Sequence, residues 1–389
     1  MEKKDSARTI EAMSPSLQSL EKIFLVISDL HLGAGDIVRG RKNYLEDFHS
    51  DRELIDFLDY YSQGKYEEQN IELVINGDFL DFLAVPYVDY FDDEFWSEKA
   101  CVEKLELILS AHAEVFKALE RFLNVPHKVI TYIIGNHDAE LILPKVRDVF
   151  LQQFSEKNRD KFKILYGVEE YNPVSGLLIK HGHQYEKAHN FDQKKNIIYS
   201  LDGEAYFLPP WGSYYVTRVI NKFKRERSYI NSVRPIKAFL IYGLIFDFFF
   251  TLRFMFANLS YFFMVRFMYV FKITHGVKTI LKQVLKEMHV FPKIEVSVSA
   301  QFEDRPDIDI LVVGHTHLPE YLTYEKGNVF INTGTWTRMI HMDFARLHQG
   351  FSLTYAEIHQ LKGEQTEKKL HSFLRTWKGI SVLPYKELG

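Results

Sequence analysis

The sequence predicts an α/β layered domain that is interrupted by one large helical insertion. Two patterns in the 389 residues support this fold class. Short apolar runs that end in polar loops alternate with segments in which apolar residues recur every three or four positions, as expected for buried strands and amphipathic helices. Between residues 190 and 293 the alternation stops, and that stretch has the pattern of several helices joined by short polar links, with no clear strand.

Five apolar runs are predicted to form buried strands, and a loop with ionisable side chains follows each of them. In chain order, these runs are KIFLVIS, IELVIN, KVITYII, LLIK and IDILVV. The runs NVFINTG and GFSLTYAEI are predicted to be closing strands, and DRELIDFLDYYSQ and ACVEKLELILSAHAEVFKALERFL have helical spacing. Because ligand sites in α/β sheets gather at the carboxyl ends of strands, we expect the five loops to meet at one site.

The same alternation divides the chain into segments. We expect a core at residues 22–189 and 294–362, with the apolar and basic insertion at 190–293 between the fourth and fifth strand-loop units. Residues 1–21 contain no apolar stretch of signal-peptide length, so they are predicted to be a flexible N-terminal tail of a cytoplasmic protein. Residues 363–389 are polar and are predicted to be a C-terminal tail.

Composition narrows the possible function classes. The only cysteine, Cys101, excludes an internal disulfide and a zinc ribbon, which fits a reducing compartment. The formal net charge of -4 gives no global attraction to nucleic acid, so any basic surface must be local. Aromatic residues make up 15% of the chain, and much of this excess lies between Phe239 and Phe271.

The five loops contain carboxylate, amide and imidazole side chains, which are ligands of divalent metal ions. The first loop, SDLHLGAGD, and the fifth, GHTH, each place two such side chains two residues apart, so that in extended backbone they point the same way. Glycine beside the ligand in four loops lets the backbone turn sharply and approach a small anion. The candidate ligands are Asp29, His31, Asp78, Asn136, His181, His315 and His317. They exceed the needs of one ion, so two ions that share a carboxylate are the simplest interpretation.

Each of these pieces also has an ordinary structural explanation, because a buried histidine is more often a core group than a ligand. Five such loops in order, each after an apolar run, favour a metal site instead. We interpret His189, His112 and His127 as ordinary residues, because none has ligand-like neighbours. His183 is expected to support the site or face solvent, and Asp81 either supports the site or starts a helix.

The motifs SDLHLG, NGDFLD, GNHD, HGH and GHTH together resemble the calcineurin-like metallophosphoesterase superfamily. The resemblance spans Lys22 to about Lys187 and resumes from about Asp307 to Ile358, without the insertion. It implies a four-layer α-β-β-α sandwich, here with a large helical insertion. It also implies two divalent metal ions, with manganese as the first choice and iron, zinc or magnesium as alternatives.

By that resemblance, each ion has four ligands and Asp78 bridges them. The first ion takes Asp29, His31, Asp78 and His317, and the second takes Asp78, Asn136, His181 and His315. A water or hydroxide between the ions would attack phosphorus in line. His137 matches the family histidine that contacts the phosphate or protonates the leaving oxygen, so it and Asn136 are also substrate-binding candidates. Asp138 would orient His137 as part of the catalytic machinery, or simply cap the loop.

The insertion is expected to determine the substrate. Basic residues accumulate between Thr217 and Lys237, and Arg218 among them is the candidate for substrate binding. The apolar segment that follows is divided by charged residues into pieces shorter than a membrane span. It is predicted to cover an apolar groove or to lie at an anionic membrane surface, although a helical subdomain that packs on itself is an equal alternative.

UDP-2,3-diacylglucosamine hydrolases combine a phosphoesterase core with a helical lid for acyl chains, and this chain is similar in design. It differs in having His137 where those enzymes usually have arginine. We therefore expect a cytoplasmic hydrolase that cleaves a lipid- or nucleotide-linked phosphodiester or pyrophosphate, either free in the cytoplasm or peripheral on the inner face of the membrane. The alternatives are a nuclease, a general phosphomonoesterase, and a non-catalytic scaffold that retains the fold.

Overall fold

Two β-sheets form the centre of the protein. The computed structural model describes residues 17–86, 93–272, 294–341, 349–363 and 370–379. The larger sheet has six strands, in the spatial order Leu370–Thr376, Thr354–Leu361, Leu20–Ile27, Ile71–Asn76, Lys128–Ile133 and Phe162–Leu165. The smaller sheet has four strands, in the order Glu320–Thr323, Val329–Asn332, Ile308–Val313 and Gly176–Ile179.

The strands that precede the five ligand-bearing loops run parallel to one another within each sheet. In the larger sheet, Leu20–Ile27 pairs with Ile71–Asn76, which in turn pairs with Lys128–Ile133. In the smaller sheet, Ile308–Val313 pairs with Gly176–Ile179. All five predicted strands are therefore present, and their carboxyl ends lie at one edge of each sheet.

Successive side chains of the larger sheet face opposite sides, and this alternation defines the layers. Leu25 and Leu73 pack in the cluster that lies beneath the helices. Phe24 and Val74 point the other way and pack with Val312 of the smaller sheet. The two sheets therefore share one apolar interface.

Helices cover the outer faces of both sheets. Those that cover the larger sheet are Asp51–Ser62, Glu98–Ala111, Ala113–Asn124 and Pro144–Leu151. The helix Ile294–Asp304 packs on the smaller sheet, where Val298 and Phe302 contact the apolar cluster that contains Leu311. The arrangement confirms the four-layer α-β-β-α sandwich.

Short elements connect these layers. They are the helix Glu156–Arg159, the hairpin of Ile37–Val38 with Arg41–Lys42, and the 3-10 turns Leu17–Ser19, Gly64–Tyr66, Phe82–Ala84, Asp93–Trp96, Ala139–Ile142 and His183–Tyr185. Two of these turns begin directly after ligand-bearing loops, at Ala139 and at His183.

The insertion is helical, but it also contains short strands, which we did not expect. Its helical segments are Trp211–Tyr215, the π-helical turn Val216–Ile220, Asn221–Lys224, Ile236–Phe246 and Phe248–Lys272. Ile197–Tyr199 pairs with Ala205–Phe207 as a hairpin. Val233–Arg234 pairs with Arg338–His341 outside the insertion, in a three-stranded sheet with Gln349–Phe351. Strands of two or three residues are too short to show alternation in sequence.

The insertion helices share a small core of their own, which contains Val219, Phe223, Val233 and Phe254. Among the described residues, no helix combines the length and apolarity that crossing a bilayer requires.

The C-terminal segment differs from the predicted tail. Leu370–Thr376 is the outer strand of the larger sheet and pairs antiparallel with Thr354–Leu361. Most of its side chains are only half-buried, so the strand carries a mixed composition that resembles a polar tail in sequence. At the other end, the first strand begins at Leu20, slightly before the expected boundary at residue 22.

A buried ion pair between Lys104 and Glu140 stabilises the turn that follows the third ligand loop. The Nζ of Lys104 lies 3.1 Å from Oε1 of Glu140, and both side chains are fully buried. The ammonium group also lies 3.8 Å from the ring centroid of Phe95. Because Glu140 lies in the turn Ala139–Ile142, directly after the GNHD motif, this pair holds the loop that carries Asn136 and His137.

We expect Glu140→Gln to destabilise the protein by about 3–5 kcal/mol, because it leaves the buried charge of Lys104 without a counter-charge. Urea unfolding followed by circular dichroism measures this loss. The double variant Lys104→Met/Glu140→Leu, which removes both charges, should recover most of the stability. Equal midpoints for Glu140→Gln and the wild type would contradict the prediction.

Candidate metal centre

The five loops meet as expected, and backbone hydrogen bonds join them. Asp29 N donates to Gly77 O at 3.1 Å, and His31 N donates to Asp78 O at 2.9 Å, which ties the first loop to the second. Gly314 N donates to His181 O at 2.8 Å and ties the fifth loop to the fourth. Side chains from loops that are distant in sequence are therefore held side by side.

The candidate ligands fall into neighbouring groups. In each group, the atoms that could bind an ion lie within 4.8 Å of one another; the groups are Asp29, His31 and His317; His31, Asp78 and His137; and Asp78, His181 and His315. The first and third match three members each of the two predicted ligand sets. Asp78 lies between the two sets, next to residues of both.

Asp78 is buried and contacts the third and fourth loops. Its Oδ1 accepts a hydrogen bond from His137 N at 2.8 Å, and its Oδ2 lies 3.1 Å from His181 Nε2. Burial by itself raises the pKa of this carboxyl, but the charges of His181 and His137 outweigh burial and hold the pKa well below its usual range. Asp78 is therefore an anion at neutral pH.

Two of the histidines have one ring nitrogen occupied by a protein acceptor. His31 Nδ1 lies 3.1 Å from Asp81 Oδ2, while its Nε2 lies 3.0 Å from His317 Nε2. His181 Nδ1 donates to the backbone oxygen of Asn76 at 2.7 Å. In each ring the other nitrogen is left directed at the centre, which is the usual arrangement of metal-binding histidines.

The residues fit divalent ions by a test that is independent of their sequence motifs. Asn136 Oδ1 is fully buried and has no hydrogen-bond partner among the described residues, and His181 Nε2, also fully buried, has only the Asp78 carboxylate beside it, at 3.1 Å. Buried polar atoms without partners are costly. Both atoms belong to the set predicted for the second ion, and a bound cation would satisfy them together with the carboxylate of Asp78.

The ligand loops also share an uncommon backbone conformation. Five candidate ligands have positive φ angles between 52° and 70°; they are Asp29, His31, Asp78, His315 and His317. Such left-handed conformations cost of the order of 1–3 kcal/mol each and occur mainly at functional sites. Nothing in the sequence predicted them.

Two glycines of the motifs, Gly135 and Gly314, are required because a side chain would not fit at either position. A Cβ atom at Gly135 would lie 2.2 Å from Asp78 Oδ1, and one at Gly314 would lie 2.4 Å from Asp29 Oδ2. Neither distance is possible for non-bonded atoms. Gly135 and Gly314 therefore allow the third and fifth loops to approach the carboxylates, whereas Gly77, with φ of 79°, serves the turn that we predicted.

The sequence model of the calcineurin-like phosphoesterases matches residues 23–319, most of the chain. This protein is a calcineurin-like phosphoesterase. The family is metal-dependent and acts on phosphoester substrates. A search of curated protein sequences gave no significant match.

Several solved structures resemble the phosphoesterase at low sequence identity. A protein described as a 5'-nucleotidase from Staphylococcus aureus, in complex with alpha-ketoglutarate, is 13% identical, with 94% of this chain and 56% of that chain covered and a TM-score of 0.36. A dimetal phosphatase from Danio rerio is 11% identical, with coverages of 92% and 99% and a TM-score of 0.36. Vacuolar protein sorting 29 from Cryptosporidium parvum is 14% identical, with coverages of 92% and 97% and a TM-score of 0.26. The chain thus spans little more than half of the Staphylococcus protein, and the family assignment rests on the sequence model.

His137 of the phosphoesterase lies beside the first ligand group, with its ring centroid 4.6 Å from that of His31. Its Nδ1 lies 3.0 Å from Asp81 Oδ1. Burial by itself lowers the pKa of His137, but the charges of Asp81 and Asp78 outweigh burial and raise the pKa to about 9. The ring is therefore protonated at neutral pH in the metal-free protein.

Asp138 does not occupy the position expected for the residue that orients His137, because Asp81 is in that position. The Asp138 carboxylate accepts hydrogen bonds from Gly135 N at 2.6 Å, Phe79 N at 2.9 Å and the Tyr132 hydroxyl at 2.6 Å. It therefore ties the third loop to the second. Asp81 accepts from Ala84 N as well, so it starts a 3-10 turn and supports two site histidines, which combines both interpretations of this residue.

Glu186 of the phosphoesterase reaches the centre without having been predicted, and the interpretation of His189 as an ordinary residue without ligand-like neighbours is wrong, because both lie beside His315. Glu186 Oε2 lies 3.2 Å from His315 Nε2 and 2.8 Å from His189 Nδ1. The only sequence signal is a Glu-x-x-His spacing shortly after the fourth motif. His183 is buried and stacks on Phe191 at a centroid distance of 5.1 Å. Burial holds its pKa well below the usual range, so it is a neutral supporting ring.

Arg218 lies in the insertion rather than beside the ligands. Its guanidinium group lies 4.6 Å from the ring centroid of Tyr214, and it lines a surface groove with Lys222, Glu226 and Arg253. Arg234 is the insertion residue whose charge reaches the centre. Burial lowers the pKa of His317 to about 4, and the charge of Arg234 acts in the same direction.

We expect metal binding to release protons and to strengthen as pH rises. Burial alone lowers the pKa of His181, but Asp78 outweighs burial and raises it to about 10 in the metal-free protein. Below that pH an incoming ion must displace the proton, so the affinity should increase by up to about tenfold per pH unit between pH 6 and 9. Calorimetric titration with Mn²⁺ in two buffers of different ionisation enthalpy measures the protons released; identical enthalpies would contradict the prediction.

Proposed function

We propose that this protein is a two-metal phosphoester hydrolase that acts on a lipid- or nucleotide-linked phosphodiester or pyrophosphate. The convergence of five loops around Asp78 carries the proposal. One ion would be held by Asp29, His31, Asp78 and His317, and the other by Asp78, Asn136, His181 and His315. The mixture of carboxylate, amide and imidazole ligands suits manganese, with iron, zinc or magnesium as alternatives.

Bound divalent ions would supply a water nucleophile of lowered pKa and neutralise charge on the phosphoryl oxygens. The protein's own side chains would contribute by positioning the reacting groups and by supplying a proton. Asp81 holds one ring nitrogen of His137, so that the opposite nitrogen, Nε2, is available to donate a proton to the leaving oxygen. In the metal-free protein, the charges of Asp81 and Asp78 raise the pKa of this imidazole to about 9. Asp138 would act indirectly, by fixing the loop that presents His137.

The insertion supports the lipid-linked substrate class through its exposed apolar surface. The helix Ile236–Phe246 and the next helix up to Met264 bury side chains such as Phe239 and Phe254 in the small insertion core and expose other large apolar side chains. Phe246 is 83% exposed, Phe249 80% and Phe256 71%. Contiguous exposed apolar surface of this kind marks a site that contacts a partner or a membrane.

The charges around this surface favour an anionic membrane as the partner. Asp247 and Arg253, which interrupt the apolar segment, are paired with Arg227 and Glu226 of the preceding segment. These charges are therefore partly neutralised, which reduces the cost of bringing them near an apolar phase. Basic side chains such as Lys222 and Lys237 are exposed nearby, where they would attract anionic headgroups. We propose that residues 190–293 form a lid or membrane-surface element that brings an acylated substrate to the core.

We expect Asp78→Asn to reduce hydrolysis of bis-p-nitrophenyl phosphate and of acylated pyrophosphates with Mn²⁺ by roughly a thousandfold, because several kcal/mol of metal stabilisation are lost. Asp59→Asn, which removes a surface carboxylate on the helix Asp51–Ser62, is the matched control and should retain activity. A metal-loaded wild type that hydrolyses no phosphoester would indicate a scaffold. Preference for single-stranded nucleic acid over acylated substrates would indicate a nuclease.

We expect the wild type to float with vesicles that contain anionic lipid and to stay in solution with neutral vesicles. Phe246→Ser/Phe249→Ser/Phe256→Ser should abolish flotation without unfolding the protein, because all three rings are exposed. The matched control changes exposed apolar residues outside the insertion: Ile37→Ser/Tyr44→Ser/Val168→Ser should float as the wild type does. Equal flotation of both triple variants would exclude the helices as the contact surface.

A further inference from the structure

The segment that follows the fourth ligand loop turns back towards the centre. Glu186 N donates to His183 O at 3.0 Å, and His189 N donates to Glu186 O at 3.0 Å. These two tight turns bring the side chains of Glu186 and His189 together, with Oε2 of the carboxylate 2.8 Å from Nδ1 of the imidazole. The same oxygen lies 3.2 Å from Nε2 of His315. One carboxylate therefore contacts two imidazole rings.

We infer that Glu186, anchored by His189, is a positioning residue for the second metal site that holds the ring of His315. The inference rests on the proposed metal centre and extends it to a residue outside the five motif loops. With Nε2–H of His315 donating to Glu186, its Nδ1 is left for the ion. A carboxylate in this position fixes the tautomer and orientation of the ring and makes it a stronger ligand.

Two of the other candidate ligand histidines, His31 and His181, also have one ring nitrogen held by a protein acceptor. Asp81 holds Nδ1 of His31, and the backbone oxygen of Asn76 holds Nδ1 of His181. Glu186 supplies the corresponding partner to His315, with Oε2 at 3.2 Å from Nε2.

The start of the insertion helices packs against His189 on the side away from the ring of His315. Gly212 N donates to Ala188 O at 2.8 Å, next to His189. A Cβ atom at Gly212 would lie 2.4 Å from Cδ2 of His189, so only glycine allows this approach. The ring of His189 is thus enclosed between the start of the insertion helices and the ring of His315, whose centroid is 5.1 Å away. The position of His189, and through Glu186 the orientation of the His315 ring, therefore depends on Gly212 of the insertion.

The test measures Mn²⁺ binding directly on the full-length chain. Calorimetric titration and metal analysis should give two ions for the wild type, whereas Glu186→Gln should weaken the second ion by about 10–100-fold and leave the first unchanged. The Mn²⁺ electron paramagnetic resonance spectrum should change from a coupled pair to a single ion at equal metal loading. His189→Gln, which keeps a donor near Glu186, should retain more affinity than His189→Ala. Glu204→Gln, the same change of charge in the hairpin of the insertion, is the matched control.

The outcomes separate this inference from the proposed function. A wild type that binds fewer than two ions would overturn the proposed centre itself. Two ions of unchanged affinity in Glu186→Gln would overturn the role of Glu186 alone. Three ions in the wild type, with one lost in Glu186→Gln, would also overturn it, because the group of Glu186, His189 and His315 would then be a separate metal site.

Discussion

The buried carboxylate of Asp78 is the contact on which the other parts of the site depend. Its backbone oxygen receives the first loop at His31, its Oδ1 receives the third loop at His137, and its Oδ2 faces the fourth loop at His181. Gly135 has no side chain because that carboxylate occupies the space. Four loops from two sheets thus converge on one negative charge, which must be balanced by protons or by cations.

Most of the core fold could be predicted because each strand and the loop after it are adjacent in sequence. The run IELVIN is mostly apolar since its strand is buried on both faces, and Asp78 follows directly after Gly77. Elements without such a local signal were missed. Val233–Arg234 exists as a strand only through its pairing with Arg338–His341, more than a hundred residues away, and Leu370–Thr376 is an edge strand whose mixed composition follows from its half-exposure.

The residues of the candidate site were likewise predictable only where a local motif marks them. The ligand types were identifiable from the motifs, but the partners of those ligands were not, because they depend on how loops fold back. Asp81 rather than Asp138 contacts the ring of His137, and Glu186 reaches His315 from a turn that no motif marks. Arg218, chosen from its charged neighbourhood as a substrate-binding candidate, lies in a groove of the insertion, and its role stays a prediction; Arg234 is electrostatically linked to His317.

The left-handed backbone at the five candidate ligand positions restricts which substitutions the site can accept during evolution. Aspartate, asparagine and histidine tolerate that conformation better than most residues, glycine adopts it freely, and β-branched residues do not. Asp29→Asn would therefore replace a charged candidate ligand by a neutral, weaker one while leaving the loop backbone intact, whereas Asp29→Val would also disturb the strand end. A descendant that abandoned catalysis would first carry asparagine or glycine at these positions, and it would still be folded well enough to acquire a role in binding.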